Sequence, residues 1–327
     1  MAGGLKKSNI LISIVIPTYN VSIYIERCIN SCLCQVFQDY EIIIVDDKST
    51  DDTYSFITSR YQKNPKIKIF RNSVNRGAHN TRIIGIQKAT GEYVFLLDGD
   101  DFIPDDALQL LYQKSLETNA DIVDGDFKFV DENGSEHSNK NSYQIEGVVN
   151  TVVYLKVLIH HKALYQTFKI IKRHLFERVR LKEGLTIGED AVSIVQIVQG
   201  AKLIAKINEV VYYYYKRSDS ITFNPRRQNL IDAYKSSEYV ISELQRFNDI
   251  FKHEILIIRL MSIINYCSFY NLTGPYRNNV RSVLKQSFNR KIVKTLNLSN
   301  RTKLACFFCL ISPLIAHKVL KNKYILF

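Results

Sequence analysis

Blocks of apolar residues alternate with helix-period segments through the first third of the chain. Leu11 to Pro17 is a β-branched apolar run that ends in Thr18-Tyr19-Asn20, and Glu41 to Val45 repeats the pattern before Asp46-Asp47. Ile67 to Phe70 and Glu92 to Leu97 form two more such runs, so four buried strands are predicted. Helical periodicity fills the gaps. One helix follows Asn20 and runs through Cys34, with Ile25, Cys28, Ile29 and Cys32 on one face. Ser49 or Thr50 can cap a second, and Asp51 and Asp52 favour its positive end. A third lies within Gly77 to Ala89 and is closed by Gly91, and a fourth starts at Pro104 and runs to about Leu116. Four strand–helix units at this spacing predict an α/β fold, with a mostly parallel central sheet, helices on both faces and right-handed crossovers.

Beyond Asp121 the rhythm changes. Ile122 to Val130 reads as a strand, Asp131 to Gly134 as a turn, and Tyr143 to Val149 as another strand. Thr151 to Arg178 reads as largely helical, Gly188-Glu189-Asp190 precedes a helical segment from Ala191 to Val198, and Val210 to Tyr215 is β-rich. After Pro225 only helical patterns remain, so Ile221 to Pro225 is the expected boundary. The resulting division is a catalytic domain over 1–223 and a basic helical region over 224–327. Within the former, about 10–120 forms one half and 121–223 another.

The run Tyr93 to Leu97 breaks abruptly into Asp98-Gly99-Asp100-Asp101. Burying such charges unpaired costs about several kcal/mol, which places them at the carboxyl edge of the sheet, where open α/β sheets bind ligands. Thr18 and Asp46-Asp47 end their strands at the same edge. Clustered hard oxygen donors there suit Mg²⁺ or Mn²⁺ bridging a substrate phosphate. Helix capping is the competing reading for Asp46 to Asp52, strongest for Ser49 and Asp51. No Gly-rich phosphate loop occurs, so Arg82 is the candidate for holding phosphate, with a surface helix arginine as the alternative.

Composition narrows the class. An apolar content of 46% over 327 residues excludes general disorder. Cys28, Cys32, Cys34, Cys267, Cys306 and Cys309 lack the spacing of a zinc site and read as reduced thiols of a cytosolic protein. Leu11 to Pro17 is too short for a secretion signal. The net charge of +12 is confined to one end: from Ile255 to Phe327 there is no Asp or Glu, against twelve Lys and Arg. Leu304 to Ile315 is apolar, too short to span a bilayer, and flanked by Lys303, Lys318, Lys321 and Lys323. A helix lying on an anionic membrane leaflet fits this pattern, as does a packed or oligomer-forming helix. Tyr266, Phe269, Tyr270 and Tyr276 interleave with the charge as a nucleic-acid platform would, but that reading gives the carboxylates no task. A nucleotidyltransferase would use a similar metal edge yet needs a triphosphate loop that is absent. His160 and His161 read as surface or core histidines.

Together these motifs resemble those of family 2 inverting glycosyltransferases, which share the nucleotide-sugar-binding GT-A fold. Ser13 to Asn20 matches the opening strand and turn, and Ile44 to Thr53 the second signature. Asn75, Gly77, Arg82 and Gly85 keep the third, although Ile83 replaces its usual asparagine. Asp98 to Asp101 is the metal and nucleotide motif, Gly188-Glu189-Asp190 falls where the family places its base, and Tyr212 to Ser220 resembles the closing motif. The resemblance covers about residues 11–223. It implies that Asp100 and Asp101 coordinate Mn²⁺ or Mg²⁺ and that Pro17, Thr18, Asp46, Asp47, Arg82, Asp98, Gly99 and Asp100 line the donor site. Asp190 would be the general base, and Glu189 would position the acceptor or the base. The implied donor is a UDP-sugar, and the implied acceptor a glycan or lipid-linked glycan of bacterial surface-polysaccharide or lipopolysaccharide synthesis. The expected location is the cytoplasm, peripheral at the inner membrane face, with no nucleic-acid partner and with a homo-oligomer left open.

Overall fold

A computed structural model describes residues 10–139, 142–180, 185, 187–217 and 227–269. Ser218 to Ser220, the Ile221–Pro225 boundary, Tyr270, Tyr276, Cys306, Cys309 and the Leu304–Ile315 segment lie outside the described residues, as do the side chains of Tyr266, Cys267 and Phe269. The first half follows the apolar blocks: β1 (Ile12–Thr18), α1 (Ile25–Leu33), β2 (Tyr40–Asp46), α2 (Thr53–Tyr61), β3 (Ile67–Arg71), α3 (Ala78–Lys88), β4 (Tyr93–Leu96) and α4 (Ala107–Thr118). The second half adds β5 (Ile122–Val130), β6 (Glu136–Ser138), β7 (Val148–Val149), α5 (Thr151–His161), β8 (Lys169–Lys172), α6 (Glu189–Val198), β9 (Ile204–Tyr215), α7 (Arg227–Gln245) and α8 (Lys252–Phe269).

The nine strands form one sheet in the order β3-β2-β1-β4-β8-β5-β9-β7, with β6 paired to β5. β3, β2, β1 and β4 run parallel, and β5 and β9 are parallel to each other. β8 enters antiparallel between β4 and β5, with Val94 beside Ile171 and Val123 beside Ile170. This corrects the expectation of helix from Thr151 to Arg178: only Thr151–His161 is α-helical, and a short 3-10 turn covers Arg173–Arg178. The strand Lys169-Ile-Ile-Lys172 is short and charged at both ends, and it exists because Lys169, fully buried, pairs with the equally buried Asp124 at 3.1 Å. The expected strand from Tyr143 shrinks to Val148–Val149. Tyr143 instead donates its hydroxyl to Asp124.

The chain divides into two compact units. The first holds Met1–Thr151, Gln166–Val179 and Gln199–Arg217, and so the whole sheet with α1 to α4. Its core is the β1–β4 strand set, where β1, β2 and β4 are buried along their whole length, together with the apolar face of α1, whose Ile25, Cys28, Ile29 and Cys32 are all buried. Cys28 and Cys32 are thiols that fill this space as small hydrophobes. α3 lies flush on the sheet because Gly85 leaves no room for a side chain: a Cβ there would meet Val15 Cγ1 at 2.4 Å. The second unit holds Val152–Tyr165, Arg180–Val198 and Ser218–Phe327, and among the described residues it is helical, with α6 packed on α7 and α7 on α8.

Candidate active site

Strand register brings the polar strand ends into line. Thr18 lies beside Asp46 and Asp46 beside Arg71, while β4 pairs Leu96 with Val15, so Asp98 emerges at the same edge. The loop after β4 is packed against β1: a Cβ on Gly99 would meet Thr18 Cγ2 at 3.2 Å and Pro17 O at 3.3 Å. Gly99 is therefore a neighbour of Pro17 and Thr18, with Asp98 and Asp100 flanking it in the same loop.

Their environments differ sharply. Thr18, Asp46 and Asp47 are buried under the edge. Asp46 Oδ2 accepts from the Ser49 N–H at 3.1 Å and pairs with Arg71 Nε at 3.0 Å, and Arg71 rests on the Tyr54 ring. Asp46 Oδ1 is buried with no hydrogen-bond partner among the described residues. Asp47 accepts from Asn72 Nδ2 and from the backbone N–H groups of Arg76 and Gly77, all at 2.8 Å, and thereby fixes the loop leading into α3. Ser49 caps nothing: its hydroxyl accepts the Asn20 N–H, Asn20 Oδ1 accepts from the Thr50 N–H, and Asp52 is the residue preceding α2. The two turns after β1 and β2 are thus latched together, each containing a residue in the left-handed region, Asn20 and Lys48.

Asp98 and Asp100 are half-buried, with 29% and 26% of their side chains exposed. Arg82, almost buried on α3, donates to Asp98 Oδ1 at 2.7 Å, so its guanidinium is committed to the acidic loop. Burial, with the neighbouring charge of Arg82, pushes His79 on the same helix down to about 4 and keeps it neutral. Asp100 Oδ2 pairs with Arg217 Nη1 at 3.1 Å. Burial and then the charge of Asp98 push the Asp100 carboxyl above its usual range, with Arg217 opposing. Asp101 turns inward: its Oδ2 accepts from the Tyr212 hydroxyl at 2.5 Å and its Oδ1 from the Tyr215 N–H at 2.8 Å. Burial and the charges of Asp100 and Asp98 raise Asp101 well above the carboxylate range.

Sequence reasoning places Tyr212 in the closing motif without assigning it a partner, and passes over Arg27. Tyr212 is buried and its hydroxyl, besides donating to Asp101, accepts the Asp98 N–H at 3.2 Å. Arg27 on α1 lies over the rings of Phe102 and Tyr215, at 4.5 and 4.1 Å, and donates to the Asp100 carbonyl at 2.8 Å. The signal for Arg27 is slight, a lone cation among apolar residues at helical spacing. For Tyr212 it lies in the Tyr212–Tyr215 run, where alternation makes half the rings internal.

Glu189 and Asp190 open α6 in the helical unit and are half-buried there. Gly188 before them adopts φ +82°, and a Cβ on it would meet Ser236 Cβ at 2.7 Å. Ser236 Oγ donates to Ile187 O at 2.8 Å, so α7 holds the turn that presents both carboxylates. In the same unit His160 pairs with the buried Glu254 at 3.2 Å. Burial works against the Glu254 charge, but the hydrogen bonds from His160 and the backbone, with the charge of Lys156, together outweigh it and lower the carboxyl below its usual range.

Among the described residues no three His, Cys, Asp or Glu side chains converge as a self-sufficient metal cage. The donor set nevertheless fits Mg²⁺ or Mn²⁺, which take one or two carboxylates and complete their shell with water and substrate phosphates. Asp98 crowding Asp100 is the electrostatic condition that a divalent cation relieves.

Known proteins place this geometry. A glycosyltransferase of Streptococcus pneumoniae serotype 4, GlyG, is 30% identical over 224 residues, 64% of this chain and 72% of its own length. The GalNAc(5)-diNAcBac-PP-undecaprenol beta-1,3-glucosyltransferase of Campylobacter jejuni is 28% identical and covers 86% of the chain and 89% of its own length. The crystal structure of S. aureus TarS 1-349 with UDP-GlcNAc superposes with a TM-score of 0.72 at 20% identity, covering 95% of this chain and 90% of that one, which establishes the GT-A fold. The nucleotidyltransferase alternative gives way to these matches. The family description "Glycosyl transferase family 2" matches residues 13–180, and the chain belongs to that family of glycosyltransferases.

Proposed function

We propose that this glycosyltransferase moves a sugar from a UDP-sugar, with inversion and with Mn²⁺ or Mg²⁺ bound, to a hydroxyl of a glycan or lipid-linked glycan in surface-polysaccharide synthesis. The observation that carries the proposal is the pair of half-buried carboxylates, Asp98 and Asp100, at the sheet's carboxyl edge beside the buried Thr18, Asp46 and Asp47. Asp100 would hold the cation with Asp98 beside it. When bound, the cation supplies positive charge where the departing nucleoside diphosphate gathers negative charge. Asp101, expected as a second ligand, has both oxygens engaged inside the protein and is assigned to anchoring the loop.

The unpaired Asp46 Oδ1 supports a donor pocket for uridine or ribose, since a ligand N–H or O–H would satisfy it. Pro17, Thr18 and Gly99 shape the floor of that pocket, and Asp47 and Arg82 hold its walls, the α3 loop and Asp98. Asp190 takes the acceptor hydroxyl's proton as the bond to the anomeric carbon forms, and Glu189 orients the acceptor or the base. A carboxylate in the first turn of α6 is favoured in its charged, proton-accepting form.

The UDP-sugar in the TarS structure and the lipid-linked glycan named for the Campylobacter relative support the donor and acceptor classes. Among the described residues no helix is long and apolar enough to cross a membrane. The run of twelve cations after Ile255 supports contact with an anionic membrane surface at the cytoplasmic face.

Calorimetry against a panel of UDP-sugars in Mn²⁺ and in EDTA tests the donor. Binding is expected only with the metal, and equal affinity in EDTA would remove the cation from the reading. Asp190→Asn should leave UDP-sugar affinity within a few-fold while turnover falls by roughly 10²–10⁴. Normal turnover by that variant would remove Asp190 from the chemistry.

A further inference from the structure

The acidic loop carries two arginines that are held in different ways. Arg82 grows from α3, which Gly85 seats flush on β1, and its side chain is only 7% exposed on Asp98. Arg217 lies two residues beyond the end of β9, is 19% exposed, and meets an Asp100 carboxylate that is itself 26% exposed. Its guanidinium also lies over the Tyr24 ring at 4.9 Å, and Tyr24 rests against Tyr215, which also meets Arg27. Arg82 is thus built into a packed helix, whereas Arg217 leans on Asp100 from the rim.

We infer that Arg217 is an exchangeable counter-ion: it neutralises Asp100 until a divalent cation takes that carboxylate, and then turns to the donor's diphosphate. The inference rests on the metal-dependent reading above. A guanidinium 3.1 Å from Oδ2 covers the oxygen that an incoming cation needs. Two cations a few ångströms apart repel strongly enough, at an effective dielectric constant of about 20, to change an affinity by more than tenfold. The guanidinium must therefore leave as the metal arrives. Its planar fork then matches phosphate oxygens, and the Tyr24 ring offers a support on which it can swing.

The test measures two affinities in the full chain. Mn²⁺ binding without nucleotide is read from the paramagnetic resonance of free Mn²⁺, and UDP binding in saturating Mn²⁺ is read by calorimetry. Arg217→Gln should bind Mn²⁺ about tenfold more tightly than the wild type and UDP·Mn²⁺ about tenfold more weakly. Arg217→Lys, which keeps the charge without the fork, should restore Mn²⁺ affinity to near the wild-type value and UDP affinity only in part. Unchanged or weaker Mn²⁺ binding in Arg217→Gln overturns the competition. Tighter Mn²⁺ binding without any loss of UDP affinity overturns the hand-over to phosphate. Asp100→Asn separates the two levels: if it binds Mn²⁺ like the wild type, the metal reading itself fails, whatever Arg217→Gln does.

Discussion

At the amino ends of the parallel strands, Glu41 Oε1 accepts from the Ser13 hydroxyl and from both the N–H and hydroxyl of Thr90, all at 2.7 Å, and its Oε2 takes Lys68 Nζ at 2.6 Å. At the carboxyl ends of the same strands, Asp46 keeps a buried oxygen unpartnered and Asp98, Asp100 and Asp101 crowd one loop. Burial opposes the charge of Glu41, yet the hydrogen bonds from Lys68, Ser13 and Thr90 outweigh it and hold the carboxyl below its usual range. At Asp100 and Asp101 burial wins and like charges add to it, so both are raised. One edge has donors enough to stabilise its carboxylate inside the protein. At the other, Arg71, Arg82 and Arg217 pair with Asp46, Asp98 and Asp100, and the carboxyls of Asp100 and Asp101 are raised all the same. On the proposed function, the first edge serves stability and the second reactivity.

The largest break in this comparison should come from Asp100→Asn. Transfer activity in Mn²⁺ is expected to fall by about 10³, of the order lost when a group stabilising transition-state charge is removed. The melting temperature should hold or rise, because a repelled charge has gone. A clear loss of stability would mean that Asp100 belongs with Glu41 as a structural carboxylate.

Tyr212→Phe should have an intermediate effect. It removes the hydroxyl shared by Asp101 and the Asp98 N–H, so Mn²⁺ affinity and turnover should each drop by about 10–100-fold, the range for groups that orient metal ligands. Unaltered Mn²⁺ binding would show that β9 does not set the loop's geometry.

Glu41→Gln should have the smallest effect on activity and a distinct effect on stability. Losing the charge-assisted bond to Lys68 is expected to cost about 1–3 kcal/mol in urea unfolding at neutral pH, with kcat unchanged. The Glu41 carboxyl is lower in the folded chain than in the unfolded one, where it titrates near about 4.3. Its stabilisation is therefore complete above that value and is lost as pH falls through the depressed folded value. The gap between wild type and variant should close on acidification, and a gap that persists at low pH would assign the effect to packing.

The parallel half of the fold was legible in the sequence because its strands are buried on both faces and read as unbroken apolar runs, as β1, β2 and β4 do. Its carboxyl-edge residues were legible for the same reason, since Asp46, Asp47 and Asp98 to Asp101 interrupt those runs at one place. β8 was not legible, because Lys169 looks like a surface residue until Asp124, 45 positions earlier, is known to face it. Which tyrosine of Tyr212–Tyr215 meets Asp101 depends on strand register, which a β-bulge shifts between β5 and β9. Arg217 could be placed within a motif but not on Asp100, since an ion pair across 117 positions leaves no local trace.

The position of β8 also sets a schedule for folding. β1 to β4 are complete once Leu96 has been made, but the open edge of β4 waits for Lys169 to Lys172, roughly 70 residues later. At about 5–20 residues per second, a nascent chain carries that unpaired edge for several seconds. During this interval Tyr93 to Leu96 presents bare N–H and C=O groups beside apolar side chains, a template for pairing with another chain. The antiparallel strand is thus the step that covers this edge of β4, and chaperone demand during synthesis should fall once it is translated.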